Sequence, residues 1–168
     1  MEDFFEAMQQ MQTTPLTPQL IAELPDERLD DWVWARCATF AHPCDYETLV
    51  PLQEGVRAYV VTRLFEWEVG NGGLHQYFFN HPSTDLLGLV LDGYAYLGLE
   101  TARRIVEEDI APIAEQEREW RESLRDCSIE TFANSYADTE LTQFDERIEL
   151  HDAERIRYVR ANPTLFAR

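Results

Sequence analysis

Residues that could carry acid–base chemistry or bind a metal ion are concentrated in one short stretch of the chain. Glu68 and His75 could pair as general acid and base, or ligate a metal ion together with a third group. The stretch has no His-Glu-x-x-His or comparable spacing, however, and a histidine at a helix end is more commonly a hydrogen-bonded structural residue. We therefore expect no catalytic residue, metal or cofactor. The alternative hypothesis is a hydrolase or metal-binding protein that uses the Glu66, Glu68 and His75 region.

The same stretch contains a glycine-rich turn, made of four consecutive residues that tolerate positive φ: Gly70, Asn71, Gly72 and Gly73. A phosphate-binding loop would need a preceding strand and a Gly-Lys-Ser/Thr sequence, and the chain has neither pattern here. We predict instead that a helix ends in a left-handed Gly/Asn cap and restarts at once at a new angle. Gln76 and Asn80 are expected to satisfy the backbone groups that the broken helix leaves open.

A third possible chemistry involves cysteine. Cys37 and Cys44, with His42 between them, could form a nucleophilic site together with a nearby acid. Cys37 falls on the apolar face of its predicted helix, so a buried and inert thiol is the expected state. With Cys127 the cysteines are three in number and show no Cys-x-x-Cys spacing, which argues against a disulfide framework and a zinc site.

The most pronounced feature of the composition is negative charge. Asp and Glu total 32 against 14 basic residues, which gives a formal net charge of −18. Such a surface repels nucleic acid and anionic membranes and attracts basic partners. Many of the carboxylates fall into three groups: the first acidic group (Asp26, Glu27, Asp30, Asp31), the second (Glu107, Glu108, Asp109, Glu115) and the third (Asp145, Glu146, Glu149).

The spacing within these acidic groups suggests a use beyond solubility. Carboxylates at positions i and i+4 of a helix stand about 6 Å apart, close to the separation of successive phosphates along a nucleic-acid strand. Rows of such pairs can resemble the charge pattern of a DNA backbone. Solubility alone remains the competing explanation, although like-charge pairs cost about a few tenths of a kcal/mol each.

The elements that must position these residues are helices. No alternating strand pattern is present, and the sequence predicts one all-α domain, residues 1–168, of seven to nine helices. An amphipathic helix over 2–12 is expected to pack on the remainder of the domain. Asp26 is expected to cap the next long helix, and Pro112 to kink or split a later one. The helix that leads into the glycine turn should bury its apolar residues: Val56, Tyr59, Val60, Leu64 and Trp67.

The stretch from Glu66 to Asn80 has the pattern Glu-x-Glu-Val-x-Asn-Gly-Gly-x-x-Gln-Tyr-Phe-x-Asn. This pattern resembles the signature of a bacterial all-helical domain-of-unknown-function family that includes small acidic DNA mimics. The closing segments 144–146 and 158–163 also resemble that family, so the likeness is expected to extend over about 32–166. The resemblance implies an all-α fold, a homodimer and, for the mimics, binding to a helix-turn-helix repressor that then releases its operator.

Together, the charge and the resemblance predict a non-enzymatic DNA mimic. It would bind the DNA-binding face of a transcription factor or another basic DNA-binding protein, without binding nucleic acid or membrane itself. A second hypothesis is an immunity or antitoxin-type protein that neutralises a basic nuclease. The start Met1-Glu2-Asp3 lacks the basic and apolar regions of a signal peptide, which predicts a cytoplasmic protein.

Overall fold

A computed structural model describes residues 2–81, 85–123 and 140–167. These residues form helices and turns without a strand, and the predicted all-α class is confirmed. The described ranges contain eleven α-helices, more than the seven to nine predicted. The difference arises because short helices such as Tyr46–Leu49 and Pro163–Phe166 are single turns, too short to give a periodic pattern.

The chain divides into two compact units, and each is described by itself. Unit 1 comprises Met1–Val60 and His151–Arg168, and unit 2 comprises Val61–Leu150. The single domain expected from the sequence stays a prediction. Among the described helices, none combines the length and the apolar character that a bilayer crossing requires.

Unit 1 contains helices α1 to α4, the start of α5, and the last two helices. Their bounds are Glu2–Thr13 (α1), Pro18–Glu23 (α2), Asp26–Ala41 (α3), Tyr46–Leu49 (α4), Glu54–Asn80 (α5), Asp152–Ala161 (α10) and Pro163–Phe166 (α11). The predicted N-terminal helix is present, and it packs against α3. Tyr59 and Phe166 make an edge-to-face contact in the core, with ring centroids 5.7 Å apart.

The cap predicted for α3 is wrong. Pro25 occupies the cap position, with the φ of −58° that its ring imposes, and Asp26 is the first helical residue. The Asp26 carboxylate instead accepts a hydrogen bond of 3.1 Å from Nε of Arg160. The same guanidinium donates to the carbonyl oxygens of Ile21 and Leu24, at 2.6 and 2.7 Å. Arg160 thereby satisfies carbonyls at the end of α2, which lack an intrahelical partner.

Unit 2 contains the remainder of α5 and the helices that follow it. Their bounds are Asp85–Leu97 (α6), Glu100–Arg104 (α7), Ile105–Ile110 (a π-helical segment), Ala111–Gln116 (α8), Arg118–Ser123 (α9) and Leu141–Arg147 (a 3-10 segment). Phe65, Tyr77 and Tyr94 form the aromatic centre of this unit. The ring of Phe65 meets those of Tyr77 and Tyr94 edge to face, at 4.8 and 6.3 Å.

The predicted effect of Pro112 is confirmed in a specific form. The helix changes from α to π geometry immediately before the proline, and the N–H of Ala111 donates to the carbonyl of Val106, five residues back. Proline has no N–H to donate, and its ring crowds the preceding turn. The wider π turn accommodates both effects, and it carries Glu107, Glu108 and Asp109 of the second acidic group.

The predicted break in α5 is also confirmed, and it occupies two residues. Only Gly72 (φ −153°, ψ 20°) and Gly73 (φ 78°, ψ 176°) leave the helical region. Gly70 and Asn71 remain helical, and neither Gly72 nor Gly73 has left-handed helical φ and ψ, so the predicted left-handed Gly/Asn cap is wrong. Trp67 was expected in the core but is 52% exposed, on the side of α5 on which Gly70 and Asn71 are also exposed.

Candidate functional site

The polar residues at the glycine break form a buried hydrogen-bonded network. The carboxylate of Glu68, which is 7% exposed, accepts hydrogen bonds from Nε2 of Gln76 at 2.8 Å and from Nδ2 of Asn80 at 2.9 Å. Gln76 and Asn80 lie one turn apart after the break, while Glu68 lies one turn before it. The two amides therefore donate to a carboxylate on the other side of the break, and not to free backbone groups as predicted.

A second carboxylate from the same stretch is buried even more completely. Glu66 is 1% exposed, and its Oε1 accepts a hydrogen bond of 3.0 Å from the hydroxyl of Tyr94 in α6. Burial of an ionisable group is tolerated when such partners replace water. Glu66 and Glu68 are therefore positioned to hold helices together, and neither faces solvent where a substrate would bind.

A third carboxylate reaches the break from a distant part of the sequence. Oδ1 of Asp145, in the 3-10 segment, accepts a hydrogen bond of 2.8 Å from the backbone N–H of Leu74. Leu74 is the first helical residue after the break, so Asp145 satisfies one of the N–H groups that a helix start leaves free. Burial raises the pKa of Asp145, whereas the hydrogen bond from Leu74 and the nearby His75 lower it.

The histidine beside Glu68 is not the one that the sequence suggested. Nε2 of His81 lies 4.0 Å from Oε1 of Glu68, while His75 is buried near Asp145. Burial lowers the pKa of His81, an effect that the negative charge of Glu68 opposes. Burial, and next the charge of Glu68, raise the pKa of Tyr77. All of these shifts have burial as their main cause, as expected for a structural network.

The described residues contain no cluster of three or more His, Cys, Asp or Glu side chains that could hold a metal ion. The cysteines also have the character of structural residues. Cys37 forms no disulfide with another described residue and is 2% exposed, which agrees with the predicted buried thiol. Burial, and then the charge of Asp45, raise the pKa of Cys44, which makes its thiol a weaker nucleophile at neutral pH. Cys127 lies outside the described residues.

The first acidic group does not form one exposed face. Glu27 and Asp31 are exposed, and Asp26 is exposed but hydrogen-bonded to Arg160. Asp30 is only 9% exposed, and its Oδ1 accepts a hydrogen bond of 2.6 Å from the hydroxyl of Tyr59. The prediction that Asp30 binds a partner at the surface is therefore wrong. The sequence could not reveal this because the compensating hydroxyl comes from another helix.

Several members of the second and third acidic groups are already paired. Glu107 pairs with Arg103, Glu115 with Arg118, and Asp109 with Arg147 at 2.6 Å. Asp145 is engaged by Leu74, as described above. Among the exposed carboxylates, those with no ion pair or hydrogen bond to another residue of the described ranges include Glu108, Glu146 and Glu149 in unit 2 and Glu27 and Asp31 in unit 1.

The fold brings the second and third acidic groups together, although residues 116–144 separate them in sequence. The π-helical segment Ile105–Ile110 packs against the 3-10 segment Leu141–Arg147. The ion pair between Arg147 and Asp109 connects the two segments directly. Further along the same surface, the carboxylate of Glu117 accepts a hydrogen bond of 3.0 Å from the N–H of Glu140. We call the exposed carboxylates Glu107, Glu108, Glu115, Glu146 and Glu149 the unit 2 acidic surface.

Comparison with known proteins places the chain in a family. The model of the family described as DMP19-like protein matches residues 51–162, well over half of the chain. The match includes the glycine break and most of the closing segment, within the range of about 32–166 expected from the sequence. No curated protein and no solved structure matches the chain. The chain belongs to the DMP19-like protein family.

Proposed function

We propose that this protein is a DNA mimic that occupies the DNA-binding face of a transcriptional regulator or another basic DNA-binding protein. The observation that carries the proposal is membership of the DMP19-like family, whose name suggests DNA mimicry. A net charge of −18 supports it, because so acidic a surface favours a basic protein over nucleic acid. The buried, hydrogen-bonded states of Glu66 and Glu68 count against the alternative of a hydrolase or metal-binding protein.

The mechanism is competition for the side chains that otherwise contact phosphates. Exposed ion pairs are each worth only about 0.2–1 kcal/mol, so tight binding requires many carboxylates to act together. Glu108, Glu146 and Glu149 have no ion pair with another described residue, so no ion pair among the described residues has to be broken before these three bind a partner. Release of counterions adds to the binding free energy at low salt, as it does for DNA itself. Affinity for the partner should therefore fall steeply as the salt concentration rises.

The test begins with the immobilised protein and a lysate of its native host at low salt. Bound proteins are eluted with a salt gradient, identified by mass spectrometry, purified and rebound in the presence of duplex DNA. We expect a DNA-binding protein that DNA displaces, with an affinity that falls between about 50 and 200 mM salt by a factor of ten or more. Partners that ignore DNA, or an affinity that stays constant over this range, would refute the proposal.

Two matched variants identify the binding surface. Glu108→Gln with Glu146→Gln removes two charges from unit 2, and Glu27→Gln with Asp31→Asn removes two charges from unit 1. Each exchange keeps the size of the side chain. Both variants lose two negative charges. A difference in partner affinity between them therefore shows which unit carries the carboxylates that bind the partner. We expect the unit 2 variant to bind more weakly, since the fold gathers two acidic groups there.

Two properties implied by the resemblance belong to the same proposal. We propose that the protein acts as a homodimer, which sedimentation equilibrium at several protein concentrations will test. We also propose that it works in the cytoplasm, where its DNA-binding partner is found, and cell fractionation will test this location.

A further inference from the structure

A chain of contacts connects the glycine break to the unit 2 acidic surface. The N–H of Leu74 donates to Oδ1 of Asp145 at 2.8 Å, and this bond holds the 3-10 segment at the break. Two residues later, Nη2 of Arg147 contacts Oδ2 of Asp109 at 2.6 Å, and this ion pair holds the π-helical segment. The guanidinium of Arg147 also lies over the ring of Phe144, 5.4 Å from its centroid, which restricts its position.

The first link depends on the absence of a side chain at Gly73. A Cβ atom at this position would lie 2.3 Å from Oδ2 of Asp145 and 2.9 Å from its Cγ. The backbone has φ +78° and ψ 176° here, a conformation that is essentially restricted to glycine. The glycine therefore does two things: it turns the chain, and it leaves the space through which the carboxylate reaches the N–H of Leu74.

We propose that Asp145 and Arg147 are positioning residues of the unit 2 acidic surface. Asp145 fastens the 3-10 segment to the glycine break, and Arg147 fastens the π-helical segment to the 3-10 segment. Glu146 and Glu108, one on each segment, are thereby held at a fixed separation. The inference rests on the proposed function. It also gives the glycine break a functional role, because the break anchors the surface that would bind the partner.

Fixed carboxylates suit a mimic for a physical reason. A binding surface that is ordered before the partner arrives loses less conformational entropy on association. Phosphates on a DNA duplex have a set spacing, and a mimic reproduces that spacing only if its backbone is held. Two segments without the Asp145 and Arg147 contacts would carry the same charge but would present it in many arrangements.

The test uses three variants of the full chain. Asp145→Ala removes the acceptor for Leu74, whereas Asp145→Asn keeps an acceptor oxygen and serves as the matched control. Both remove one negative charge, so they differ in the acceptor oxygen and in the volume of the side chain, but not in charge. Arg147→Gln removes the ion pair to Asp109 and changes the net charge from −18 to −19. Hydrogen exchange of peptides that cover 105–110 and 140–149 measures how firmly the backbone of the two segments is held. Calorimetry with a nine-residue oligoarginine peptide at low salt measures the affinity of the acidic surface for a basic ligand.

For Asp145→Ala we expect exchange in both segments to become roughly five- to tenfold faster, which is the factor for loss of an ordinary hydrogen bond. Oligoarginine should bind more weakly by a similar factor, and Asp145→Asn should restore both quantities. Arg147→Gln is the sharper test. Charge alone predicts tighter binding for this more acidic variant, whereas loss of positioning predicts binding that is weaker by about two- to fivefold.

Tighter binding by Arg147→Gln, or equal binding by Asp145→Ala and Asp145→Asn, would overturn the positioning role. Unchanged exchange in 105–110 for both Asp145→Ala and Arg147→Gln would do the same. Failure of the proposed function gives a different result: the wild-type chain would still bind oligoarginine, because its net charge is −18, but the host lysate would yield no partner that duplex DNA displaces. In that case the exchange data alone would still decide whether the glycine break holds the two segments.

Discussion

The same substitution at two glycines of α5 should have opposite effects on stability. Gly70 and Gly73 are three residues apart, and each can be changed to alanine. Gly70 is helical, and a Cβ added there meets no heavy atom within 4 Å. At Gly73 an added Cβ would lie 2.3 Å from Oδ2 of Asp145, on a backbone with φ +78°.

The magnitudes follow from these two environments. In a helix alanine is more favourable than glycine by about 0.5–1 kcal/mol, so Gly70→Ala should stabilise the protein by that amount. Gly73→Ala imposes a strained backbone, at about 1–3 kcal/mol. It also displaces Asp145 and leaves the N–H of Leu74 without its acceptor, which costs about 1–3 kcal/mol more. After allowance for the reduced entropy of the unfolded alanine chain, we expect a net loss of about 2–5 kcal/mol.

The assay is urea unfolding followed by tryptophan fluorescence and by circular dichroism. Two probes are needed because the chain divides into two units, which need not unfold together. Hydrogen exchange at the Leu74 amide provides a local measurement. A double variant, Gly73→Ala with Asp145→Ala, separates the steric part from the backbone strain, because the clash requires both side chains.

The reasoning would be refuted if Gly73→Ala were no less stable than Gly70→Ala. A loss at Gly73 that persisted in full when Asp145 was also alanine would refute the steric part alone. Destabilisation by Gly70→Ala would show that, in solution, other atoms occupy the position of the added Cβ atom.

Three further predictions concern buried polar groups. Tyr59→Phe should lower the free energy of unfolding by about 1–3 kcal/mol in urea titrations, because the buried Asp30 loses a hydrogen bond of 2.6 Å. Tyr94→Phe should have an effect of similar size, because the carboxylate of Glu66 is 1% exposed, and an unchanged urea midpoint would contradict this. Burial lowers the pKa of His81 from its ordinary 6.5, so the unfolded chain takes up this proton first. Stability from His81 should therefore be lost as the pH falls below about 6.5 towards the folded-state pKa, and His81→Gln should remove that part of the pH dependence of the urea midpoint.

How far the sequence predicts the candidate site differs between its parts. The acidic groups and the glycine turn are visible in the sequence because composition and glycine runs are local properties. Whether each carboxylate is buried or exposed is not visible in the sequence. Asp30 and Glu27 belong to the same predicted group, yet one accepts a hydrogen bond from Tyr59 and the other is exposed. Helical periodicity alone does not show which groups of another helix lie opposite a given residue.

The role of Asp145 illustrates the same limit over a longer distance. It was grouped with Glu146 as a surface carboxylate, but it caps a helix start 71 residues earlier in the chain. The sequence does contain one signal: the helix after the break is preceded by Gly73, which has no side chain that could accept a hydrogen bond from the first N–H groups of that helix. That signal identifies a need for an acceptor, but it does not identify which acceptor supplies it.

The sequence by itself determined the all-α class, the break at the glycines, the effect of Pro112 and the family. Each of these follows from local rules of backbone conformation, or from a pattern of neighbouring residues. Tertiary structure alone decided that Asp30, Glu66 and Glu68 are buried, that Trp67 is exposed, and that the second and third acidic groups meet. Burial and contact depend on the packing of residues far apart in sequence, which a single sequence does not encode in any local pattern.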